Sequence, residues 1–490
     1  MAASESEHIH HGASHDESHG GTSGGHYPGM WVFPNPRVMT RDMAAKISSM
    51  PGLLTLAMLF TFALLVLGVV GFVARAAADG FDDRAPWGYY MATFSFVFMI
   101  TSGAPVAAVA FRFTKSHWRR PLSRVSELFA VVGIFNIITF IPMMLILPPI
   151  LNPNPSHGGA HELEIRRTIW FEGPIGAPHA WDLAGIIALA VTSLFILWLS
   201  ATPDMAEARN TARGLRGWLY RRLAGHWYGT KRQWNAQKAG LALLGAFYFM
   251  LLVFVQFIIS SDYAQSMIPG YKDAIFPVFY TLTGFQCALG MCLIILYILR
   301  RWGGYEEYYG KSVFWSASKV QLGLTLLWAY HLFSFFITYW YGRLVVEQNV
   351  IRYLMGDSYG GVFTANVALS FVIPFLLLLW NPVRRSAWGP PLAGLSATLG
   401  ALMFSVRIFV GGANSGNIYA ALLDHVPAPV FPDLWDIFMV IGGIGGAAFI
   451  YLVATRILPV LSVWEVKEGA LYQRMSRFVK GEYLVLAKPE

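Results

Sequence analysis

Residues 177–200 read Ala177-Pro178-His179-Ala180-Trp181-Asp182-Leu183-Ala184-Gly185-Ile186-Ile187-Ala188-Leu189-Ala190-Val191-Thr192-Ser193-Leu194-Phe195-Ile196-Leu197-Trp198-Leu199-Ser200. From residue 180 onward this is a run of the roughly 20 apolar residues that a bilayer-spanning helix needs. Its mouth carries His179 and Asp182, and a later apolar run carries Arg407. Ionisable groups at membrane depth are costly enough to be read as functional by default.

The same kind of run recurs along the chain. Stretches at 53–74, 88–112, 125–147, 180–200, 239–260, 276–299, 315–340, 360–380, 391–412 and 435–456 each have the length and composition of a span. With 55% hydrophobic and 13% charged residues over 490, and a mean hydropathy of +0.48, the chain reads as an all-α polytopic membrane protein. Arg112 to Arg124, Arg209 to Lys238, Arg300 to Lys311 and Arg384-Arg385 make alternate loops basic. The positive-inside rule then predicts both termini and the basic loops in the cytoplasm. His179, Asp182, Asp262 and Asp436 fall near the outer face.

The net charge of +8 is spread over short loops flanking the spans, so it signals orientation and not nucleic-acid binding. No cleavable signal peptide is visible in residues 1–50, and the first span is expected to act as the insertion signal. Cys287 and Cys292 share one apolar run, which allows neither a disulfide framework nor a thiolate metal site and predicts packing. Three regions follow: a disordered His/Gly-rich tail at 1–30, a membrane domain at 31–460 and a cytoplasmic tail at 461–490. Imidazoles such as His8, His10 and His11 hold metals loosely at best, and a solvated tail is the plainer reading. The outer segments Pro148 to Pro178 and Tyr341 to Tyr359 are long enough for docking surfaces.

His179 and Asp182 are three residues apart and share one helix face. Asp262, in Ser260-Ser261-Asp262-Tyr263, closes the fifth span on the same side, and Arg407 needs a counter-charge that the outer carboxylates can supply. A quinol suits this set. Its two phenolic oxygens need proton acceptors and its ring an apolar slot. His179 can bond one oxygen, Asp182 or Asp262 can take protons, and Arg407 can hold a carboxylate ionised. The alternative is that His179 and Asp182 cap a helix while Arg407 packs. Bis-imidazole haem ligation needs paired histidines on facing helices, and His331 is the other histidine at membrane depth besides His179. Haem or Fe–S centres are therefore expected on a partner.

Trp87-Gly88-Tyr89-Tyr90, Trp181-Asp182, Ser261-Asp262-Tyr263, Pro269-Gly270-Tyr271, Ile275-Phe276-Pro277, Leu458-Pro459 and Glu465-Val466-Lys467-Glu468 occur in that order. The pattern resembles the NrfD/PsrC family, the haem-free quinone-interacting membrane subunits of polysulfide reductases and of alternative complex III. The resemblance covers about residues 30–470 and is nearest to the quinol-site subunit of alternative complex III. It implies two four-helix bundles with two peripheral helices. It also implies a quinol site, menaquinone being the expected quinone, lined by Asp182, Asp262 and Arg407; His179, Trp181 and Asn136 are expected as further lining on their own positions. Its implied partners are an extrinsic periplasmic iron–sulfur subunit, a second NrfD-like membrane subunit and multihaem cytochrome c subunits.

One motif departs from the family. A His-Leu-Gly-Arg-Pro-like stretch after the third span is replaced by Leu147-Pro148-Pro149-Ile150-Leu151-Asn152, which leaves its His role to His179 or Asn136, or leaves this chain a poor quinone binder. A proton route is expected from Glu127, Asn136, His331, Lys319 and Glu347, unless Glu127 simply pairs with Arg124 or another basic loop residue. Gly442-Gly443-Ile444-Gly445-Gly446 predicts close helix packing. A non-catalytic scaffold subunit and a secondary transporter are the competing classes.

Overall fold

The structure, a computed structural model, describes residues 36–49, 51–152, 164–170, 176–478 and 481–486. Ten helices in it are long and apolar enough to cross a membrane: Gly52–Asp79, Ala85–Phe113, His117–Ile146, Ala177–Ala208, Lys231–Met267, Phe276–Arg301, Lys311–Gly342, Gly360–Leu379, Gly389–Ala413 and Leu434–Ile457. Each expected run has its helix. Several begin with proline in the first turn, as Pro178 and Pro277 do, where the missing N–H would have had no partner anyway. The fifth span starts on a reciprocal cap between Thr230 and Gln233, and the tenth on one between Asp433 and Asp436. Such caps satisfy two otherwise orphaned backbone donors.

The second to fifth spans close one ring of neighbours and the sixth to ninth close another. The two four-helix bundles meet where the second span packs on the sixth and ninth, and the fifth on the sixth. The first and tenth spans form a peripheral pair. Glycine lets them touch: a Cβ on Gly68 would come within 2.6 Å of Gly442 Cα. The expected packing role of the glycine-rich tenth span is therefore fulfilled inside the chain. Between the sixth and ninth spans Gly290 and Gly394 approach in the same way, a Cβ on Gly394 falling 2.7 Å from the Gly290 carbonyl oxygen. Cys287 and Cys292 are buried and unpaired with each other.

The stretch after the tenth span carries secondary structure of its own. Val463–Leu471 is a helix whose Trp464 and Glu465 are buried against the basic-loop end of the first bundle, and Gln473–Phe478 pairs antiparallel with Gly481–Leu486. Glu465 there is a counter-charge for buried Arg112 and Arg119. The His-rich residues of the N-terminal region lie outside the described residues.

Candidate functional site

Asp182 and Asp262 come from the fourth and fifth spans and meet near the end of the first bundle opposite the basic loops. Both are fully buried. Their carboxyls are electrostatic neighbours, with Arg166 beside them. Asp262 is held firmly: Trp170 donates its Nε1–H to Oδ2 at 2.6 Å, and the Thr168 hydroxyl donates to Oδ1. Asp182 is different: neither of its oxygens meets an N–H or hydroxyl donor, and its hydrogen-bonding neighbour is the Asp262 carboxyl itself. The neighbouring Tyr263 hydroxyl is also buried without a partner.

The residues that hold Asp262 come from the loop after the third span. A short antiparallel bridge between Leu151 and Ile165, with Arg166 N–H donating to the Ile150 carbonyl at 2.7 Å, turns the segment back over the bundle. Alternation then sends Arg166 and Thr168 inward while Ile165 and Arg167 stay exposed. Arg166 donates through Nη1 to the Asp262 carbonyl oxygen at 3.3 Å and to Ser266 Oγ at 3.4 Å. Burial pushes this guanidinium below its ordinary range, and Asp262 opposes that. Its Nε and Nη2 have no partner. Two carboxyls beside one cation can hold and hand on a proton, and the aromatic wall of Phe94, Phe140 and Tyr263 stands next to them, with Phe140 and Tyr263 ring centroids 5.4 Å apart and Phe94 and Phe140 5.5 Å apart.

Four expected site residues are placed elsewhere. Trp181 is 60% exposed, because successive helix residues diverge by about 100° and Asp182 takes the inward direction. His179 is half-buried, and its Nε2 lies 3.3 Å from the Leu147 carbonyl, tying the start of the fourth span to the end of the third. Arg407 sits in a π-helical turn, Val406–Val410, of the ninth span. Its guanidinium lies 5.1 Å from the Phe363 ring centre, inside the second bundle. Among the described residues no carboxylate is in ion-pair range, and its Nε and Nη1 have no hydrogen-bond partner. Arg166 is the cation beside the carboxyl pair. Sequence reasoning missed it, although an arginine on the face that otherwise carries few was a usable signal.

Asn136 lies deeper, roughly 15 Å along the helix from the end of its span, against roughly 7 Å for Asp182. It donates to Thr101 Oγ1 at 2.7 Å and lines a void of about 10 Å³ with Ser102, Ser193 and Tyr248. Gln256 donates to Ser102 at 3.1 Å. At the basic end Glu127 is fixed by Arg112 at 2.7 Å, Arg124 at 3.5 Å and Ser200 at 2.7 Å, so the pairing alternative for Glu127 holds. Glu465 joins Arg112 and Arg119, each at 2.8 Å, and Arg124 pairs with Asp204 at 2.9 Å. Burial alone would raise the Glu465 carboxyl; the two arginines outweigh it and hold the group well below the usual range.

The proposed route from Glu127 through His331 to Glu347 is not continuous. His331 is on the perimeter of the seventh span, its Nδ1 2.9 Å from the Leu327 carbonyl, in the bundle that Glu127 does not belong to. Lys319 stacks on Trp315 at 3.8 Å. Glu347 is buried in the helix Val345–Ile351, near Asp273 and Tyr339. Among the described residues no group of three His, Cys, Asp or Glu side chains is arranged to hold a metal. No protein-family model matches this chain, and no curated protein aligns with it significantly.

Proposed function

We propose that this chain is a quinol-binding membrane subunit in which Asp182 receives a proton from quinol, at the end of the first bundle away from the basic loops. The observation that carries the reading is the asymmetric carboxyl pair: Asp262 is held by Thr168 and Trp170, whereas Asp182 is buried against the Asp262 carboxyl with no N–H or hydroxyl donor. A buried acceptor without a donor is costly, and a phenolic O–H is a donor it would match. Oxidation of quinol to quinone releases two protons and two electrons. One proton passes to Asp182, the other leaves past Tyr263 and Asp262, and the electrons go to a redox centre on a partner protein. Arg166 offsets the negative charge left on the pair. Phe94 and Phe140 supply the apolar flank that the ring needs.

The resemblance to the NrfD/PsrC family supports the same assignment, with an extrinsic iron–sulfur subunit as the acceptor and multihaem cytochromes beyond it. In that setting the basic loops are cytoplasmic and the site is periplasmic. The buried polar groups Asn136, Thr101, Gln256 and Ser102 lie in the same bundle, and they would support proton movement within it only by way of bridging water. Menaquinol and ubiquinol oxidation and bound quinone, measured on the purified membrane assembly, test the reading. Asp182→Asn should slow turnover by roughly 10² to 10⁴ while Arg407→Gln keeps it within about threefold, as a residue outside the general-base machinery would. Wild-type turnover in Asp182→Asn sinks the assignment, and purification as a single chain stabilised by a polar solute favours a transporter.

A further inference from the structure

On the basic-loop side, apart from the carboxyl pair, lies a cavity of about 420 Å³. Its walls are the surface helix Pro36–Ser48, the end of the fourth span, the helix Gly214–Ala224 and Pro459. Three arginines line it: Arg41, Arg213 and Arg216. Two acids line it as well, but both are already engaged. Asp204 accepts from Arg124 and from Trp464 N–H, each at 2.9 Å, and Glu207 accepts from Thr40 at 2.8 Å and Lys467 at 2.5 Å. Among the described residues the three arginine side chains make no ion pair, and Arg216 Nε is buried without a hydrogen bond. Arg456 adds further positive charge next to Arg216. The cavity therefore has donors and charge without an internal partner.

The helix beside it shows where the missing partner comes from. Gly214–Ala224 buries Gly217, Tyr220 and Ala224 against the protein, with the Tyr220 hydroxyl donating to the Ile457 carbonyl at 2.6 Å. It leaves Leu215 77% and Trp218 57% exposed, next to Arg221 and Arg222. Trp198, on the exposed side of the fourth span, donates to the Leu223 carbonyl at 3.0 Å. Exposed Leu215 and Trp218 beside arginines, on a helix pinned to the end of a span, fit contact with the membrane interface. The arginine-lined cavity is then at headgroup depth, on the face whose charge attracts anionic lipid.

We infer that the cavity formed by Arg41, Arg213 and Arg216 binds the phosphate-bearing headgroup of an anionic phospholipid. Its volume is in the range of small-ligand pockets, enough for a glycerophosphate headgroup and too small for a whole diacyl lipid. The acyl chains lie outside it, along Leu215 and Trp218. Planar guanidinium groups bind phosphate oxygens two at a time.

The full chain purified in detergent and stripped of lipid tests this by titration with phosphatidylglycerol, phosphatidylcholine and inorganic phosphate, with bound lipid read by native mass spectrometry. Phosphatidylglycerol should bind at least tenfold more tightly than phosphatidylcholine. Arg213→Gln/Arg216→Gln should lose about tenfold or more of that affinity, as removal of charge-assisted hydrogen bonds does, and Arg216→Lys should fall between. Arg384→Gln/Arg385→Gln, on the same face but outside the cavity, should bind like wild type. Arg213→Gln alone removes an exposed side chain with no internal bond, so it carries the test if the double variant does not fold. Equal affinity for the two lipids, unchanged affinity in the cavity variants, or competition by inorganic phosphate at equal concentration would overturn the assignment.

Discussion

Replacing each member of the carboxyl pair in turn separates chemistry from architecture. Asp182 meets no N–H or hydroxyl donor and borders the Asp262 carboxyl, so Asp182→Asn removes the proton acceptor and one of two adjacent carboxyls. Loss of a positioned general base slows a reaction by roughly 10² to 10⁴, equivalent to about 2.7–5.5 kcal/mol of barrier. Stability should stay at the wild-type value, and Asp182→Leu should match or exceed it because a buried, unsatisfied group is removed. Asp262→Leu should behave in the opposite sense. It leaves the Trp170 indole N–H, which can only donate, without its acceptor, and one orphaned buried donor costs about 1–3 kcal/mol. The Thr168 hydroxyl can turn elsewhere and adds less. Quinol oxidation by the purified assembly and thermal unfolding in one detergent are the two measurements. Equal destabilisation by the two leucine variants, or a turnover loss in Asp182→Asn that tracks unfolding, would refute the assignment of distinct roles.

Other perturbations follow from the rest of the fold. Burial pushes the Asp273 carboxyl up to about 6 from 3.8, with the Ile275 and Phe276 N–H groups opposing and Glu347 adding to it. Its protonated form contributes stability that is complete below about pH 4 and lost as pH rises through about 6, up to about 3 kcal/mol. Asp273→Asn, which keeps an acceptor for the Ile275 N–H, should flatten that part of the unfolding profile between pH 4 and 7. Glu465→Ala leaves buried Arg119 without its carboxylate and should cost about 3–5 kcal/mol, read as lower yield and melting temperature. Gly442→Leu should separate the first and tenth spans and lower the melting temperature. Gly323→Leu, at a position with open space around it, should not.

The spans were legible because each is a long apolar run, and run length is a one-dimensional property. Pairing of distant polar groups is not. Asp182 and Asp262 could be grouped because both close spans on the same side, whereas Arg407 shared that side and faces another bundle. Helix rotation decides this, and a run that is apolar all round hardly encodes it. Trp181 beside Asp182 shows the same loss of direction. Arg166 reaches the site through a turn in a loop whose path the local sequence does not fix, and Glu465 reaches Arg112 across the length of the chain.

The Glu465 contact also sets an order of events during synthesis. Arg112 and Glu465 are 353 residues apart, and at roughly 5–20 residues per second the ribosome takes roughly 20 to 70 s to make the intervening chain. Until then Arg119 must keep water or lipid phosphate as company, while Arg112 and Arg124 can already pair with Glu127 and Asp204. A chain that stops after Ile457 has all ten spans but lacks the acid that Arg119 meets at this end.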